Sequence, residues 1–428
     1  MQHRDSKSRF ARCARACPQI RAQSDGRRPP RIAALALGTA VLAAVTFTAP
    51  APAVAQTETV IHSFPANSSP YARPYEDPTG ALYVPTYYGG DGSGTVYEMA
   101  EKHGTWKGHT IYEFNGGGGI NPAGGLIEDP SGVLYGMTRY GGSYGLGTLY
   151  SLALVNGVWN ATDLHDFTGG SDGDEPDGDL LMDKTTGAFY GTASSGGGSS
   201  GCGTVFELAE SGGTWTFTTL YSFQGGSDGC IPEVALHEEG KKPGTLFGTT
   251  TYGGTANAGT VFELAETNGL WTESVLYTFT GGNDGGNPFD IAVDQEGNVY
   301  GVASSGGAYS AGAVFELSKL HRKWQQSVLY SFKGGTDGGD PVGIHLEHST
   351  GTLFGTTQSG GTKDAGTVFK LVPNGDSWTE SLLHSFGTKG DGLYPATGPT
   401  EDPRTGVLYG TTVDGGRHGG GTVYTITQ

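Results

Sequence analysis

Hydrophobic and polar residues alternate along this chain in short segments that glycine and proline interrupt. In one representative unit, the apolar segments lie at 233–238, 246–250, 260–264 and 271–279. The last segment places Trp271, Val275 and Tyr277 on one face, as expected for a strand. No segment shows a sustained 3.6-residue apolar period. The unit therefore predicts four short strands, a to d in chain order, and almost no helix.

This unit recurs through the chain. The phrase Gly-Thr-Val-Phe-Glu-Leu at 203–208 returns in variant form every 53 to 56 residues, and each of the six tryptophans precedes a recurring phenylalanine by eight residues. Seven copies of the phrase begin at residues 94, 147, 203, 259, 312, 366 and 421. Four-stranded units with this period are typical of β-propeller blades.

The two ends of the repeat array complement each other. Residues 57–64 read as a strand d without its own strands a to c, and residues 422–427 read as a strand c without its own strand d. The chain therefore predicts an all-β, seven-bladed β-propeller with four antiparallel strands per blade. The N-terminal strand closes it by pairing with the C-terminal strand.

The N-terminal segment differs from the repeats. Residues 1–31 are rich in Arg and Lys, an apolar run follows at 32–49, and Ala53-Val54-Ala55 precedes Gln56. This order is typical of an export signal, so residues 1–55 are predicted to be a signal peptide and 56–428 the propeller. An alternative is that the apolar run is retained as a membrane anchor. We expect a secreted or periplasmic protein.

Composition and net charge limit the classes of partner that we expect the protein to bind. The chain has 76 glycines, six Trp, 21 Tyr and 18 Phe, as expected for many tight turns between short strands, and its net charge is −18. Removing the basic segment would make the charge more negative. Such a charge disfavours nucleic acid and anionic membranes, whereas cations, basic proteins and neutral glycans remain open as ligands. A monomer is expected.

The combined motifs resemble the GloVer (Gloeo-Verruco) tandem-repeat family of exported bacterial proteins. The resemblance rests on Gly-Thr-Val-Phe-Glu-Leu, then Trp-Thr, then Leu-Tyr-Ser-Phe-x-Gly-Gly-x-Asp-Gly and Leu-Tyr-Gly-Thr-Thr, and it covers residues 57–428. It implies a repeat fold and export but no specific activity. Family members often carry a C-terminal sorting anchor, whereas this sequence shows no apolar tail before Gln428, so a soluble exported form is expected.

The loops between strands d and a carry a recurring Gly-Gly-x-Asp-Gly motif. Carboxylates and turn carbonyls suit Ca²⁺, which makes these loops candidate Ca²⁺ sites. Each loop has one recurring carboxylate whereas Ca²⁺ takes about six to eight oxygens, so a turn-building role is favoured. The candidate metal ligands are Asp172, Asp228, Asp284, Asp337 and Asp391.

A second acidic series follows the recurring proline by six residues, and it either rings the central channel or builds solvated turns. Its members are Glu76, Glu128, Glu238, Asp294, Glu347 and Glu401. His345 and Glu347 lie on one predicted innermost strand and are candidate binding residues, although a chance cluster is favoured. Three other histidines replace a recurring tyrosine and read as packing variants: His62, His165 and His384.

Tyrosines in or beside the loops between strands b and c could stack on sugar rings, and Tyr140 and Tyr252 are the chosen candidates. Cys202 lies in such a loop and Cys230 lies in the loop leaving the same blade. Both loops open on one face, so a disulfide between them is a hypothesis that export permits.

The sequence is compatible with two classes of function. Near-identical blades without an asymmetric catalytic cluster favour a non-catalytic binding or scaffold propeller. The alternative is a propeller enzyme acting on extracellular glycans, with carboxylates at the channel mouth as acid and base. No catalytic residue and no firm cofactor is predicted.

Overall fold

A computed structural model describes residues 57–238 and 244–427; the predicted export segment lies outside them. The described chain forms seven antiparallel sheets, numbered here as blades 1 to 7. Blade 1 contains β2 (Tyr75–Glu76), β3 (Leu82–Thr86), β4 (Thr95–Lys102) and β5 (Thr105–Glu113). Blade 2 contains β6 (Ile120–Pro122), β7 (Ile127–Glu128), β8 (Leu134–Tyr140), β9 (Thr148–Val155) and β10 (Val158–Asp166). Blade 3 contains β11 (Asp174–Met182), β12 (Phe189–Ser195), β13 (Thr204–Ser211) and β14 (Thr214–Ser222).

The remaining blades repeat this order. Blade 4 contains β15 (His237–Glu238), β16 (Thr245–Thr250), β17 (Thr260–Thr267) and β18 (Leu270–Thr278). Blade 5 contains β19 (Gly286–Val293), β20 (Val299–Ser305), β21 (Ala313–Leu320) and β22 (Lys323–Ser331). A 3-10 turn (Gly335–Asp337) precedes blade 6, which contains β23 (Gly339–Glu347), β24 (Thr352–Ser359), β25 (Thr367–Asn374) and β26 (Ser377–Ser385). Blade 7 contains β27 (Gly392–Pro395), β28 (Thr400–Glu401), β29 (Leu408–Gly415), β30 (Thr422–Thr427) and the N-terminal β1 (Thr57–Ser63).

Blade 7 is shared between the two ends of the described chain. Strand β1 pairs antiparallel with β30, in a register that places Thr57 opposite Thr427 and Thr59 opposite Thr425. This pairing supplies the outer strand that the last repeat lacks. The predicted seven-bladed propeller, with its closure by the terminal strands, is confirmed.

Strand a lies innermost: the a strands of blades 2 and 3 contact each other beside the channel, as do those of successive blades from 4 to 7. Threonines of strand b form hydrogen bonds across the blade boundaries. Thr411 donates a hydrogen bond to the carbonyl of Ala72 at 2.9 Å, and Thr249 donates to the carbonyl of Phe289 at 2.9 Å. The channel wall is thereby fixed by side-chain to backbone bonds, which are costly to leave unmade when buried.

The six tryptophans pack between blades. Each lies edge-on against an aromatic ring from strand b of the preceding blade. The Trp215 and Tyr135 rings are 5.7 Å apart, and the Trp106 and Tyr409 rings, which join blades 1 and 7, are 6.0 Å apart. Edge-to-face pairs at such distances are favourable beyond the area they bury. The tryptophans are therefore part of the scaffold.

A β-bulge in strand d changes one expected face. The pairing of β17 with β18 shifts register between Val261 and Phe262, so Val275 opposes Phe262 while Tyr277 opposes Val261. The extra residue, Leu276, turns inward and Val275 is 36% exposed. Trp271 opposes Glu266 and Val275 opposes Phe262 on one face of β17, whereas Tyr277 opposes Val261 on the other face. The expectation that Tyr277 shares the face of Trp271 and Val275 is wrong, because a bulge breaks the two-residue alternation.

No helix in the described ranges is long and apolar enough to span a membrane.

Candidate functional site

The d–a and b–c loops open at one end of the channel, which we call the loop mouth. In every blade the residue before the recurring proline has a left-handed backbone, with φ between +50° and +64°. These residues are Ser69, Asn121, Glu175, Ile231, Asn287, Asp340 and Tyr394. Left-handed backbone is unfavourable for non-glycine residues, above all for a β-branched one, and such strain is often found at binding sites. The repeat therefore presents a constant backbone with six different residue types across the seven blades.

Four tyrosines of blades 1 and 2 gather at the loop mouth and are called the aromatic patch: Tyr71, Tyr87, Tyr88 and Tyr140. The Tyr71 and Tyr87 rings are 5.4 Å apart, and the Tyr87 and Tyr88 rings are 4.9 Å apart. All four side chains are partly exposed. Burial raises the pKa of Tyr87, Arg139 opposes the rise and Tyr140 adds to it, so the predicted binding residue Tyr140 lies close to these rings.

Arg139 lies beside the aromatic patch and joins blades 2 and 3. Its guanidinium is 2.7 Å from Asp177 and 2.9 Å from Glu175, and it lies 5.9 Å from the centre of the Tyr140 ring. Burial raises the pKa of Asp177, while the charge of Arg139 opposes that rise. The corresponding position holds a small residue in blades 3 to 5, namely Ser194, Thr251 and Ser304. The loop mouth is therefore asymmetric at this point.

A buried ion pair crosses the middle of the channel. Arg73 of blade 1 binds Asp290 of blade 5, and its Nε atom is 3.9 Å from Asp179 of blade 3. Asp290 also accepts a hydrogen bond from the backbone N–H of Ile344 at 2.9 Å. Burial raises the pKa of Asp290, but Arg73 and this N–H oppose the rise. The channel is thus bridged by charged groups that satisfy one another.

Two histidines lie near Arg73 on innermost strands. Burial, followed by the charge of Arg73, lowers the pKa of His237 to about 4. Burial, followed by the charges of Arg73 and His348, lowers the pKa of His345 to about 4. Both imidazoles are therefore neutral near pH 7. His345 Nε2 is 3.1 Å from Glu401 of the next blade, so that contact is a hydrogen bond between a neutral ring and a carboxylate.

The second acidic series lies at the opposite end of the channel, where each described member has a local partner or turn. Tyr75 donates to Glu128 at 3.1 Å. Glu347 accepts from Ser349 and Thr350 in its own turn, so the structure does not bring it together with His345 as a bonded pair. A cleft of about 250 Å³ opens here beside Glu401. It lies below the range of about 300–1,000 Å³ typical of small-molecule sites.

The candidate Ca²⁺ ligands lie in the d–a loops, and each carboxylate accepts a hydrogen bond from the backbone N–H four residues earlier. Each also bonds the Tyr or His ring seven residues earlier. At Asp284, burial alone would raise the pKa, but hydrogen bonds led by Thr280 lower it. This local bonding supports the turn-building role, and Ca²⁺ binding stays a prediction.

The sequence reasoning missed a third set of carboxylates, which we call the junction glutamates: Glu58, Glu273 and Glu380. Each lies on the inner face of an outer strand and faces an aspartate of the preceding blade's loop. Burial, followed by the charge of that aspartate, raises the pKa of each junction glutamate to about 7. The recurrence of Trp-Thr-Glu at 271–273 and 378–380 is the signal that could have identified two of them.

The structure joins Cys202 and Cys230 in a disulfide with a Cα–Cα distance of 4.5 Å. It connects the b–c loop of blade 3 to the segment entering blade 4. Tyr252, the other candidate aromatic residue, pairs its backbone with Cys230 on this side of the ring. Tyr252 therefore lies next to the disulfide and not in the aromatic patch.

A family model describing the Gloeobacter/Verrucomicrobia repeat matches residues 45–262 and 241–428. The chain belongs to this family. The match extends over all seven blades of this Gloeobacter/Verrucomicrobia repeat protein, which confirms the resemblance seen in its motifs. No curated protein matches the chain.

Solved structures share the propeller fold of this Gloeobacter/Verrucomicrobia repeat protein. A hypothetical selenium-binding protein from Sulfolobus tokodaii is 12% identical, with a TM-score of 0.52 over 70% of this chain and 74% of that chain. The GH74 enzyme of Niastella koreensis is 14% identical, with a TM-score of 0.53 over 86% of this chain and 53% of that chain. At these identities the likeness shows the fold alone.

Proposed function

We propose that this protein is an exported, non-catalytic β-propeller that binds a carbohydrate at the loop mouth. The observation that carries the proposal is the aromatic patch, held beside Arg139 on a backbone that is otherwise the same in every blade. Tyrosine offers a rigid, amphipathic surface at a low entropic cost, which suits stacking against sugar rings. A neutral glycan is also compatible with the acidic surface of the chain.

The charge arrangement at the patch supports a defined binding geometry. Arg139 makes two ion pairs with Glu175 and Asp177, so its guanidinium plane is fixed. Tyr140 lies within 5.9 Å of that guanidinium, and its hydroxyl is 3.5 Å from Glu175. Side chains held by their neighbours in this way are pre-organised, and a ligand does not have to order them on binding.

The acids of the channel support binding over hydrolysis. Glycoside hydrolysis requires two carboxyl groups about 5–9.5 Å apart with access to the substrate. Here Asp179 and Asp290 share Arg73, and Glu401 bonds His345. Carboxylates that hold the walls of the channel together are poorly placed to act as acid and base.

A glycan array with the purified protein, followed by calorimetry on the best ligand, tests this proposal. We expect Tyr88→Ala and Tyr140→Ala each to weaken binding by about fivefold or more, as for a buried aromatic contact worth over 1 kcal/mol. Tyr309→Ala is the matched control, since Tyr309 lies in the corresponding loop of blade 5 and is 58% exposed. It should leave the affinity unchanged.

Two results would contradict the proposal. Binding that is insensitive to both patch substitutions would move the ligand elsewhere, and an array without any bound glycan would exclude the carbohydrate class. A hydrolysis assay on the same glycans covers the catalytic alternative. Turnover that is lost in Glu401→Gln would favour the enzyme.

A further inference from the structure

We propose that Glu58, His384 and Asp391 form a binding site for one divalent transition-metal ion, with Zn²⁺ as the favoured occupant. One ligand atom from each residue lies within 4.8 Å of the other two. The site is at the junction of blades 6 and 7, on the outer side of the ring. It is independent of the carbohydrate proposal.

Three separate elements supply the ligands. Glu58 comes from the closing strand β1, His384 from the outer strand β26, and Asp391 from the loop that leads into β27. Tetrahedral Zn²⁺ with bonds of about 2.0–2.2 Å holds its ligand atoms roughly 3.3–3.6 Å apart. His384 Nε2 and the Asp391 carboxylate are already 3.0 Å apart and would separate slightly. The Glu58 oxygen, within 4.8 Å of the other ligand atoms, would approach by at most about 1.2–1.5 Å, which side-chain rotation can supply.

One oxygen at this site has no protein partner. Glu58 Oε1 is buried and makes no hydrogen bond among the described residues. A buried carboxylate oxygen normally has a partner, because leaving it unpaired carries a large desolvation cost. The carboxylate of Asp391 lies close to Glu58, so two negative charges face each other here. A bound cation would satisfy the oxygen and remove the repulsion between the two carboxylates.

The other two ligands are already oriented by the protein. Asp391 accepts hydrogen bonds from the backbone N–H groups of Gly392 at 2.7 Å and Gly387 at 3.2 Å. His384 Nε2 lies 3.0 Å from the same carboxylate. The metal would bind Nε2 in place of that hydrogen bond, with the ring proton moved to Nδ1. Backbone donors behind a ligand are the usual way in which a protein fixes its orientation.

The corresponding junctions of other blades show why this one is different. The junction with Glu380 has Asp337 and Tyr330, and the junction with Glu273 has the same pattern, so a phenol takes the place of the imidazole. The junction with His165 has Phe217 stacked on the ring at 3.9 Å in place of a glutamate. Among the described junctions, only that of blades 6 and 7 combines an imidazole with two carboxylates.

The ligand chemistry selects the metal class. Imidazole with carboxylates suits Zn²⁺ and similar transition-metal ions, and three protein ligands leave a fourth position for water. Ca²⁺ is disfavoured because it takes about six to eight oxygens, whereas this site offers few oxygens and one nitrogen.

The position of Glu58 gives the ion a structural role. Strand β1 pairs its backbone with β30 inside blade 7, and its His62 ring stacks on Tyr97 of blade 1. A metal bridging Glu58 to His384 would also tie β1 to blade 6. The ion would therefore stabilise the closed ring at blade 7, where β1 pairs with β30.

Zinc titration of the purified, tag-free protein after treatment with a chelator tests the site. We expect one Zn²⁺ per chain by calorimetry and a rise of a few degrees in melting temperature at saturating Zn²⁺, since a ligand of the native state stabilises it by mass action. Glu58→Gln and His384→Tyr should abolish both effects. Glu380→Gln alters the equivalent glutamate of blade 6 and should retain them.

His384→Tyr introduces the side chain found in four other copies, so it should fold, and the melting temperature of the metal-free variant checks this. A crystal grown with Zn²⁺ should show an anomalous peak between Glu58 and His384. The proposal is overturned if Zn²⁺ does not bind, if His384→Tyr binds it with the affinity of the parent chain, or if the peak lies elsewhere.

Discussion

At the scale of single residues, buried histidines couple the channel to pH. His237 is partly buried in the inner wall of blade 4, and its buried Nε2 atom has no hydrogen-bond partner among the described residues. Its pKa is about 4 in the folded protein, against an ordinary value of 6.5. Between these values the unfolded chain binds a proton that the native state does not bind. Stability is therefore lost as the pH falls from 6.5 towards 4.

Replacing His237 should remove this acid sensitivity. We expect His237→Leu, which copies the leucines at the equivalent positions 181 and 346, to be more stable than the parent chain by about 2 kcal/mol at pH 5. The difference should be smaller at pH 7.5. Chemical denaturation at the two pH values measures it, with His109→Gln, at an exposed outer-strand position, as the control. Equal pH dependence in the parent and His237→Leu would contradict the account.

At the scale of elements, the loops at the blade boundaries share one geometry. The disulfide between Cys202 and Cys230 lies at the boundary of blades 3 and 4. The equivalent positions are Ala258 and Gly286 at the boundary of blades 4 and 5, and Ala311 and Gly339 at the boundary of blades 5 and 6. A Cβ placed on Gly339 would be 3.6 Å from the Cβ of Ala311, which is within the range of disulfide-bonded pairs. Gly339 does not need a left-handed backbone, so a side chain is acceptable there.

A second disulfide should therefore form at the boundary of blades 5 and 6. We expect Ala311→Cys with Gly339→Cys to oxidise spontaneously and to stabilise the protein by about 2–4 kcal/mol, with the gain lost on reduction. Each single substitution is the control. Free thiols in the oxidised double variant, counted by mass spectrometry after alkylation, would contradict the shared geometry.

Some elements follow from the sequence and others depend on the assembled ring. Phrases such as Gly-Thr-Val-Phe-Glu-Leu recur every 53 to 56 residues between glycine-rich turns, so they predict the strands and their number. The bulge beside Val275 has no marker in a single repeat, because it depends on the pairing with β17. The same holds for Arg73 and Asp290, which are 217 residues apart and meet only when the ring is closed. The ion pair between Arg73 and Asp290 could therefore not be predicted from the sequence pattern.

At the scale of the whole molecule, the closed ring depends on blade 7, where the two ends of the described chain pair. Six boundaries join blades that follow one another in the chain, whereas blade 7 receives its outer strand from the other end of the sequence. Buried contacts also join blade 7 to blade 1. Trp106 packs against Tyr409, and Thr411 bonds the backbone of Ala72. Strand β1 covers the outer edge of β30, which would otherwise be unpaired, and unpaired edges favour aggregation.

Hydrogen exchange followed by mass spectrometry tests the closed ring most directly. Strand β1 and strand β22 are both outer strands paired with a strand c, so we expect the amides of Thr57–Ser63 to be protected as strongly as those of Lys323–Ser331. Rapid exchange throughout Thr57–Ser63, with Lys323–Ser331 still protected, would show that the N-terminal strand does not close the propeller.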